Sequence, residues 1–129
     1  MNNSSNRYLA FSAFLIALSI AFGAFGAHIL NPGLSEKYVN TLGTANQYFM
    51  INAVGMLVIS TLNMQSRSLR LVFLTVFLGI LLFSGSLYII VLCKYFNVDV
   101  PFIIGPLTPI GGLLLMIGWI SLAIHYIKN

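Results

Sequence analysis

Four long apolar segments constrain the fold of this chain more than any other feature. They cover about residues 8–30, 44–63, 71–93 and 104–127. About twenty apolar residues in an α-helix are enough to cross the hydrocarbon core of a bilayer. Charged residues make up only 6% of the chain, too few to cover the surface of a soluble domain of this size. We therefore predict an all-α integral membrane bundle of four transmembrane helices, forming a single membrane domain over residues 1–129.

The first segment has an alternative interpretation as a secretory signal peptide. Ala24-Phe25-Gly26 is similar to the small-residue cleavage site of such a peptide. The apolar run is longer than the core of a signal peptide, which has about 7–15 residues. We therefore interpret this segment as a transmembrane span.

The stretch between the first and second segments has the pattern of a short amphipathic helix. Asn31-Pro32-Gly33 is a turn signal, and Leu34, Tyr38 and Leu42 then recur at helical spacing among polar residues. A helix of this kind lies in the membrane interface with its apolar face toward the lipid. The sequence therefore predicts an interfacial helix here, with a solvated loop as the alternative.

The positions of the basic residues predict the topology, because cytoplasmic loops of membrane proteins carry an excess of Lys and Arg. With the N-terminus in the cytoplasm, four of the six basic residues lie inside, namely Arg7, Arg67, Arg70 and Lys128. The two outside are Lys37 and Lys94, which lie near the two acidic residues, Glu36 and Asp99. We therefore expect both termini in the cytoplasm.

This topology brings most of the polar residues of the spans to the outer side of the membrane. The candidate ligand-binding residues are His28, Gln47, Tyr48, Asn52, Ser84, Ser86, Tyr88 and Thr108. With the second span starting near residue 44, Asn52 would lie about 12 Å along it. Polar groups at membrane depth are costly unless they pair or line a cavity, so a cluster of them is a hypothesis for a functional site.

The alternative for many of these residues is a purely structural role. Ser, Thr and Asn side chains can hydrogen-bond across helices, and glycines let helix backbones approach closely. The candidate packing glycines are Gly23, Gly26, Gly79, Gly85, Gly111 and Gly112. Tyr88 and Trp119 could be anchors in the aromatic belts of the membrane. The first span presents small residues on two faces, which favours two packed neighbours and makes a homo-oligomer or a partner membrane protein plausible.

Catalysis and cofactor binding find little support in the sequence. No acidic residue lies within a span, and the predicted topology places His28 and His125 at opposite membrane faces, where they cannot share a metal. The single cysteine, Cys93, excludes a cysteine-based metal cluster. Ser84 or Ser86 beside His28 is the one arrangement similar to a nucleophile and base. We expect no metal and no cofactor, and the dispersed basic residues indicate no nucleic-acid partner.

Three motifs resemble those of a known family: Gly23–His28 (GAFGAH), Leu82–Tyr88 (LFSGSLY) and Gly105–Gly112 (GPLTPIGG). The chain is similar over nearly its whole length to the small membrane proteins grouped as domain of unknown function 423, which also resemble eukaryotic transmembrane-protein-256-like sequences. The resemblance implies a four-helix membrane fold in the bacterial cell membrane and no established activity.

The second span departs from the pattern of that family. The family usually has Thr-Ala, a Tyr-Gln pair and then His-Ala. Here Thr44-Ala45 and Tyr48 match, whereas Phe49 replaces the glutamine and Asn52 replaces the histidine. Asparagine can keep a hydrogen-bonding role but is a poor substitute in proton transfer or metal ligation. The substitution therefore favours a hydrogen-bonding role for this position.

Three functional hypotheses follow. The first is a non-catalytic protein of the bacterial inner membrane whose outer-leaflet polar cluster binds a lipid headgroup or a partner membrane protein. The second is a small transporter or channel that works as an oligomer, because one four-helix unit has little room for a pore. The third is an enzyme at the outer face, which would need His28 within hydrogen-bonding distance of a serine.

Overall fold

The computed structural model describes residues 3–128, and side-chain surroundings from residue 5 onward. Its four α-helices are α1 (Asn3–Phe25), α2 (Glu36–Ser60), α3 (Arg67–Tyr95) and α4 (Ile104–Lys128). Each lies in a segment long and apolar enough to cross a membrane, and the described residues contain no strand. The predicted all-α membrane fold of four helices is therefore confirmed.

The predicted interfacial helix between the first two spans is wrong. α1 continues into a π-helical turn, Gly26–Leu30, and a 3₁₀ turn, Asn31–Gly33, and α2 then begins at Glu36. Tyr38 and Leu42 lie within the first two turns of α2, and Leu42 is buried against the end of α1. Apolar residues at helical spacing among polar ones are equally typical of the hydrated end of a transmembrane helix, so the sequence pattern alone could not separate the two structures.

α2 and α3 form the centre of the bundle. α1 packs along α2, α2 packs along α3, and α4 packs along α3. The buried share of the most apolar window is 39% in α2 and 33% in α3, compared with 22% in α1 and 17% in α4. The outer helices α1 and α4 therefore offer most of their surface to lipid.

Aromatic side chains connect α1 to α3 in addition to its contact with α2. The rings of Tyr8 and Phe73 meet edge to face with centroids 4.9 Å apart, and those of Phe11 and Phe77 do so at 5.1 Å. Edge-to-face pairs contribute about 0.5–1.5 kcal/mol beyond the burial of their area. α1 is therefore held in the groove between the two central helices.

Small residues let α3 and α4 approach closely. A Cβ atom added at Gly111 would collide with the backbone nitrogen of Phe83. At Gly79, an added Cβ would lie 2.9 Å from the backbone nitrogen of Leu115, and at Gly118 it would lie 2.7 Å from Cγ2 of Val76. Close backbone approach is the usual way in which transmembrane helices associate, because lipid is as apolar as their side chains.

The connection after α3 is closed by a left-handed residue. Asn97 has a φ of 55°, and the Val98 N–H donates to the carbonyl oxygen of Cys93 at 2.8 Å. This is a Schellman-type end, in which asparagine can replace the more common glycine. α4 then starts at Ile104 and includes Pro109. Thr108 and Gly111, in about the first two turns of α4, both contact α3.

Gly111→Ala should destabilise the bundle, whereas Gly85→Ala should not. The added methyl group at Gly111 meets backbone of α3, which cannot rotate away, so we expect a loss of about 1–3 kcal/mol. Nothing lies within 4 Å of a Cβ added at Gly85, where alanine gains up to about 1 kcal/mol of helix propensity. Circular dichroism during SDS-induced unfolding from mixed micelles measures both. Equal stability of the two variants would contradict the close α3–α4 contact.

Candidate functional site

Hydrogen bonds between helices use many of the polar residues predicted to form a site. Asn52 is only 5% exposed, and its Oδ1 accepts a hydrogen bond from Trp119 Nε1 at 2.8 Å. Its Nδ2 donates to the carbonyl oxygen of Tyr48, also at 2.8 Å. The Trp119 ring lies against Gly55, where an added Cβ would collide with it. Asn52 thus uses its amide to connect α2 with α4, and Trp119 is an interhelical partner where the sequence suggested an aromatic-belt anchor.

The depth expected for Asn52 needs correction. Because α2 begins at Glu36, Asn52 follows its start by 16 residues, which is about 24 Å of helix. Trp119 follows the start of α4 at Ile104 by 15 residues. The Asn52–Trp119 pair therefore lies past the midpoint of both helices. Of the other predicted site residues, Gln47 and Tyr48 line the same cleft as this pair, whereas His28, Ser86, Tyr88 and Thr108 lie nearer the end of the bundle opposite the termini.

A second hydrogen bond connects α2 with α3. The Tyr88 hydroxyl donates to Asn46 Oδ1 at 2.8 Å. The other side of the Asn46 amide faces α1, because a Cβ added at Gly23 would lie 2.8 Å from Asn46 Nδ2. The Tyr88 ring also contacts Phe22 of α1, with centroids 4.9 Å apart. Three helices therefore meet at Asn46, and Tyr88 is half-buried between them.

A third hydrogen bond connects α3 with α4. The Ser86 and Thr108 hydroxyl oxygens are 2.6 Å apart, and Ser86 also donates to the carbonyl oxygen of Phe83 at 2.9 Å. A serine hydroxyl has one proton, so Thr108 must be the donor in the pair with Ser86. This bond lies within one turn of Gly111, where α3 and α4 are closest to each other.

The two histidine–serine pairs considered from the sequence do not form. His28 is exposed on the π-helical turn after α1. Ser86 is paired with Thr108, and the buried Ser84 Oγ has no hydrogen-bond partner among the described residues. Ser84 instead lines a cavity of about 170 Å³ that includes Phe22 and Tyr88. The structure therefore shows no nucleophile–base pair at these residues.

A groove remains open between the end of α1 and the start of α2, and we call it the amide groove. It has a volume of about 620 Å³ and includes Asn31, Asn40, Asn46 and Gln47, with Gly23 and Gly43 among its other lining residues. None of its lining residues is charged. The Asn31 Oδ1 atom is buried without a hydrogen-bond partner. The groove therefore offers uncharged donors and acceptors to a ligand.

A larger cleft of about 700 Å³ opens between α2 and α4 on the other side of α2. Its walls are mostly apolar and include Tyr48, whose ring packs on Phe83 with centroids 4.6 Å apart. Gln47 lines both this cleft and the amide groove. The predicted residues Gln47 and Tyr48 are thus exposed, while Asn52 and Trp119 form the polar part of the cleft wall.

The candidate packing glycines occupy different surroundings. An added Cβ at Gly26 would lie 2.8 Å from Cδ2 of Leu42, and at Gly112 it would lie 3.6 Å from Cδ2 of Phe83. Gly85 has open space around it. Gly55 and Gly118 also have close contacts, with Trp119 and Val76, although neither is among the predicted packing glycines. These contacts could not be predicted because they depend on the relative register of two helices.

Sequence reasoning also missed Asn46 and Asn31. A polar tyrosine in an apolar span needs a hydrogen-bond partner, and this was the one signal that could have pointed to an acceptor on α2. No sequence signal identified Asn31 as a buried groove residue, because Asn-Pro-Gly reads as an exposed turn. Among residues 3–128, no group of three His, Cys, Asp or Glu side chains is placed to hold a metal ion.

The bundle has apolar outward faces and interhelical hydrogen bonds within its spans, which defines an integral membrane protein with four transmembrane helices. The chain belongs to the family described as protein of unknown function DUF423, whose model matches residues 22–112. The resemblance seen in the sequence motifs is therefore confirmed.

The relatives of the chain are bacterial membrane proteins. It is 36% identical to a UPF0382 membrane protein of Staphylococcus haemolyticus, over 94% of this chain and 95% of the relative. It is 34% identical to the UPF0382 membrane protein YwdK of Bacillus subtilis, covering 94% and 96%. For a UPF0382 membrane protein of Haemophilus influenzae the identity is 35%, covering 96% of both chains. No solved structure matches the chain.

A double-mutant cycle should show that Asn52 and Trp119 stabilise the bundle as a pair. We expect Asn52→Leu to destabilise it by about 0.6 kcal/mol, the average measured for hydrogen bonds between transmembrane helices, and by no more than about 1.7 kcal/mol. Trp119→Phe removes the same bond from the other side, so the double variant should lose less than the sum of the single losses. Unfolding in SDS followed by circular dichroism gives the three values. Strict additivity would show that the pair contributes no coupling.

Proposed function

We propose that this protein is a non-catalytic component of the bacterial inner membrane and that its amide groove binds the headgroup of a lipid. The observation that carries the proposal is the groove itself, a space of about 620 Å³ lined by four amide side chains at one end of the bundle. The exposed Gln47 and Asn40 supply donors and acceptors, and Asn31 lines the groove beside them.

The chemistry of the groove favours a headgroup rich in hydroxyl groups. Each amide offers both a carbonyl acceptor and an NH₂ donor, which complements a sugar or glycerol hydroxyl. The lining residues carry no charge, so they provide no counter-charge for an anionic or a cationic headgroup. The groove also borders the outward faces of α1 and α2, where the chains of a bound lipid can remain in the bilayer. A glycolipid therefore fits the groove better than a charged headgroup does.

The arrangement of the serines and histidine supports the non-catalytic part of the proposal. Ser86 is engaged by Thr108, and Ser84 is enclosed by apolar side chains away from any base. Asn52 and Ser86 use their side-chain donors and acceptors in hydrogen bonds within the protein, including the bonds to Trp119 and Thr108 that connect two helices. These residues serve the packing of the bundle, whereas Asn40 and Gln47 of the amide groove are exposed to a ligand.

A second role is supported by the exposed face of α1. Its serine and glycine face is turned inward, with Ser12 and Ser19 fully buried. The opposite face consists of small residues that are all exposed, namely Ala10, Ala13, Ala17, Ala21 and Ala24. Small residues in such a row allow close approach of another helix. We include in the proposal that this face packs against a second membrane helix, and a second copy of the chain would supply one.

Filling the groove should weaken lipid binding without disturbing the fold. Gly43 lines the groove and has nothing within 4 Å of an added Cβ, so a side chain can be introduced at this position, and Gly43→Phe adds a bulky ring to the groove wall. Gly105 also has open space but lies outside the groove, which makes Gly105→Phe the matched control. Loss of two hydrogen bonds of about 0.7 kcal/mol each, near the lower end of the usual range, corresponds to about tenfold weaker binding.

Native mass spectrometry in a sugar-free detergent, with diglucosyl diacylglycerol as the titrant, measures this affinity. We expect wild type and Gly105→Phe to bind the glycolipid equally and Gly43→Phe to bind it about tenfold more weakly. Unchanged binding by Gly43→Phe, or an equal loss in the control, would contradict the proposed site. The same spectra give the number of chains in each particle.

We propose that both termini lie in the cytoplasm, because the excess of basic residues lies at their end of the bundle. A green fluorescent protein fused after Asn129 should therefore be fluorescent, and an alkaline phosphatase fused there should be inactive. A phosphatase inserted in the α3–α4 connection, between Asn97 and Pro101, should be active. The reverse pattern at the two positions would show the opposite orientation.

A further inference from the structure

A second cleft lies at the end of the bundle that carries the termini, and we call it the arginine cleft. It has a volume of about 560 Å³ and is enclosed by the first turns of α1, the α2–α3 loop and the start of α3. Arg7 and Arg70 lie in its wall together with Gln65. The aromatic rings of Phe11, Phe73 and Phe77 line the part that runs along the helices.

The two arginines have no counter-charge within the part of the chain that the structure describes. The acidic residues of the chain are Glu36 and Asp99, and both lie at the opposite end of the bundle, at the start of α2 and in the α3–α4 connection. Arg7 and Arg70 are exposed side chains, and no ion pair is formed by either within residues 3–128. The cleft therefore presents two uncompensated positive charges to whatever enters it.

The cleft combines this charged mouth with an apolar wall. Phe11 lies one turn after Arg7 along α1, and Phe77 lies seven residues after Arg70, which is about 10 Å along α3. The rings of Phe11 and Phe77 meet each other edge to face at 5.1 Å. Leu74 continues this wall. The polarity of the cleft thus changes from cationic to apolar within about 10 Å along α3.

We propose that the arginine cleft is a binding site for an anionic phospholipid. The lipid phosphate lies between Arg7 and Arg70, whose guanidinium groups donate to phosphate oxygens. The Gln65 amide supplies a further hydrogen-bonding group in the wall of the cleft, and one acyl chain runs along Phe11 and Phe77. Basic pockets between transmembrane helices on the cytoplasmic side are suited to anionic headgroups. This site is at the opposite end of the bundle from the amide groove and does not depend on the function proposed for that groove.

The phospholipid is favoured over a soluble phosphate compound because its acyl chain covers the apolar wall of the cleft, with which a soluble phosphate compound makes no contact. The test compares phosphatidylglycerol with phosphatidylcholine by native mass spectrometry of the full chain. Each arginine near a membrane surface contributes about a fivefold preference for an anionic lipid, so Arg7→Gln/Arg70→Gln should lose about thirtyfold in affinity for phosphatidylglycerol. Binding of phosphatidylcholine should change little.

Arg67→Gln is the matched control, because Arg67 is an exposed arginine at the same end of the bundle but lies outside the cleft. We expect this variant to bind phosphatidylglycerol as the wild type does. If the double variant fails to fold, as judged by circular dichroism, the single variants Arg7→Gln and Arg70→Gln should each show about a fivefold loss.

A third arm of the experiment separates the lipid from a soluble phosphate source. Glycerol 3-phosphate carries the same phosphate without acyl chains, and we expect it not to displace phosphatidylglycerol. Displacement by glycerol 3-phosphate at similar concentration would assign the cleft to a soluble compound and overturn the proposal. An equal loss in Arg67→Gln, or unchanged affinity in Arg7→Gln/Arg70→Gln, would overturn it as well.

Discussion

Lipid chains are as apolar as leucine, so the helices of this protein gain no hydrophobic free energy by leaving lipid for one another. What holds them together is close packing and a small number of hydrogen bonds. The contact of Gly111 with the Phe83 backbone lets α4 lie directly on α3. Asn46 with Tyr88, Ser86 with Thr108, and Asn52 with Trp119 then fix the register of the neighbouring helices. If the glycine contact were lost, the two hydroxyl oxygens of Ser86 and Thr108, now 2.6 Å apart, would separate with the helices.

The arrangement of α1 and α4 around a central pair explains why the open spaces lie at the sides and ends of the bundle. Helices placed in this way leave grooves between an outer and a central helix. The arginine cleft, the cleft between α2 and α4 and the amide groove all have that origin. Such grooves are open to the bilayer along their length. A ligand that is itself part of the membrane can enter them without crossing water, and this is the physical reason for preferring lipids as ligands. The two ends of the bundle differ in chemistry because the arginines lie at the end with the termini and the acidic residues lie at the other end.

Much of this fold could be predicted from the sequence, because spans and their number depend on composition over long windows. The predicted fourth span, 104–127, nearly coincides with α4. The start of α2 could not be predicted in the same way, since Glu36, Lys37 and Asn40 are as compatible with an interfacial helix as with the hydrated end of a span. Which polar residues pair was also beyond the sequence. Trp119 reaches Asn52 only because Gly55 leaves room for its ring, and that fact depends on the relative register of α2 and α4.

The geometry of Asn52 gives a physical reason for the residue that this position holds. Its neighbours make two demands, a carboxamide oxygen to accept from Trp119 and an N–H to donate to the carbonyl oxygen of Tyr48. A neutral histidine has one acceptor nitrogen and one N–H, so the histidine that the family resemblance implies at this position could meet the same two demands. An imidazolium could not, because both of its nitrogens are donors and one would face the Trp119 N–H. Asparagine at this position therefore makes both hydrogen bonds and cannot titrate, which agrees with a role in helix packing.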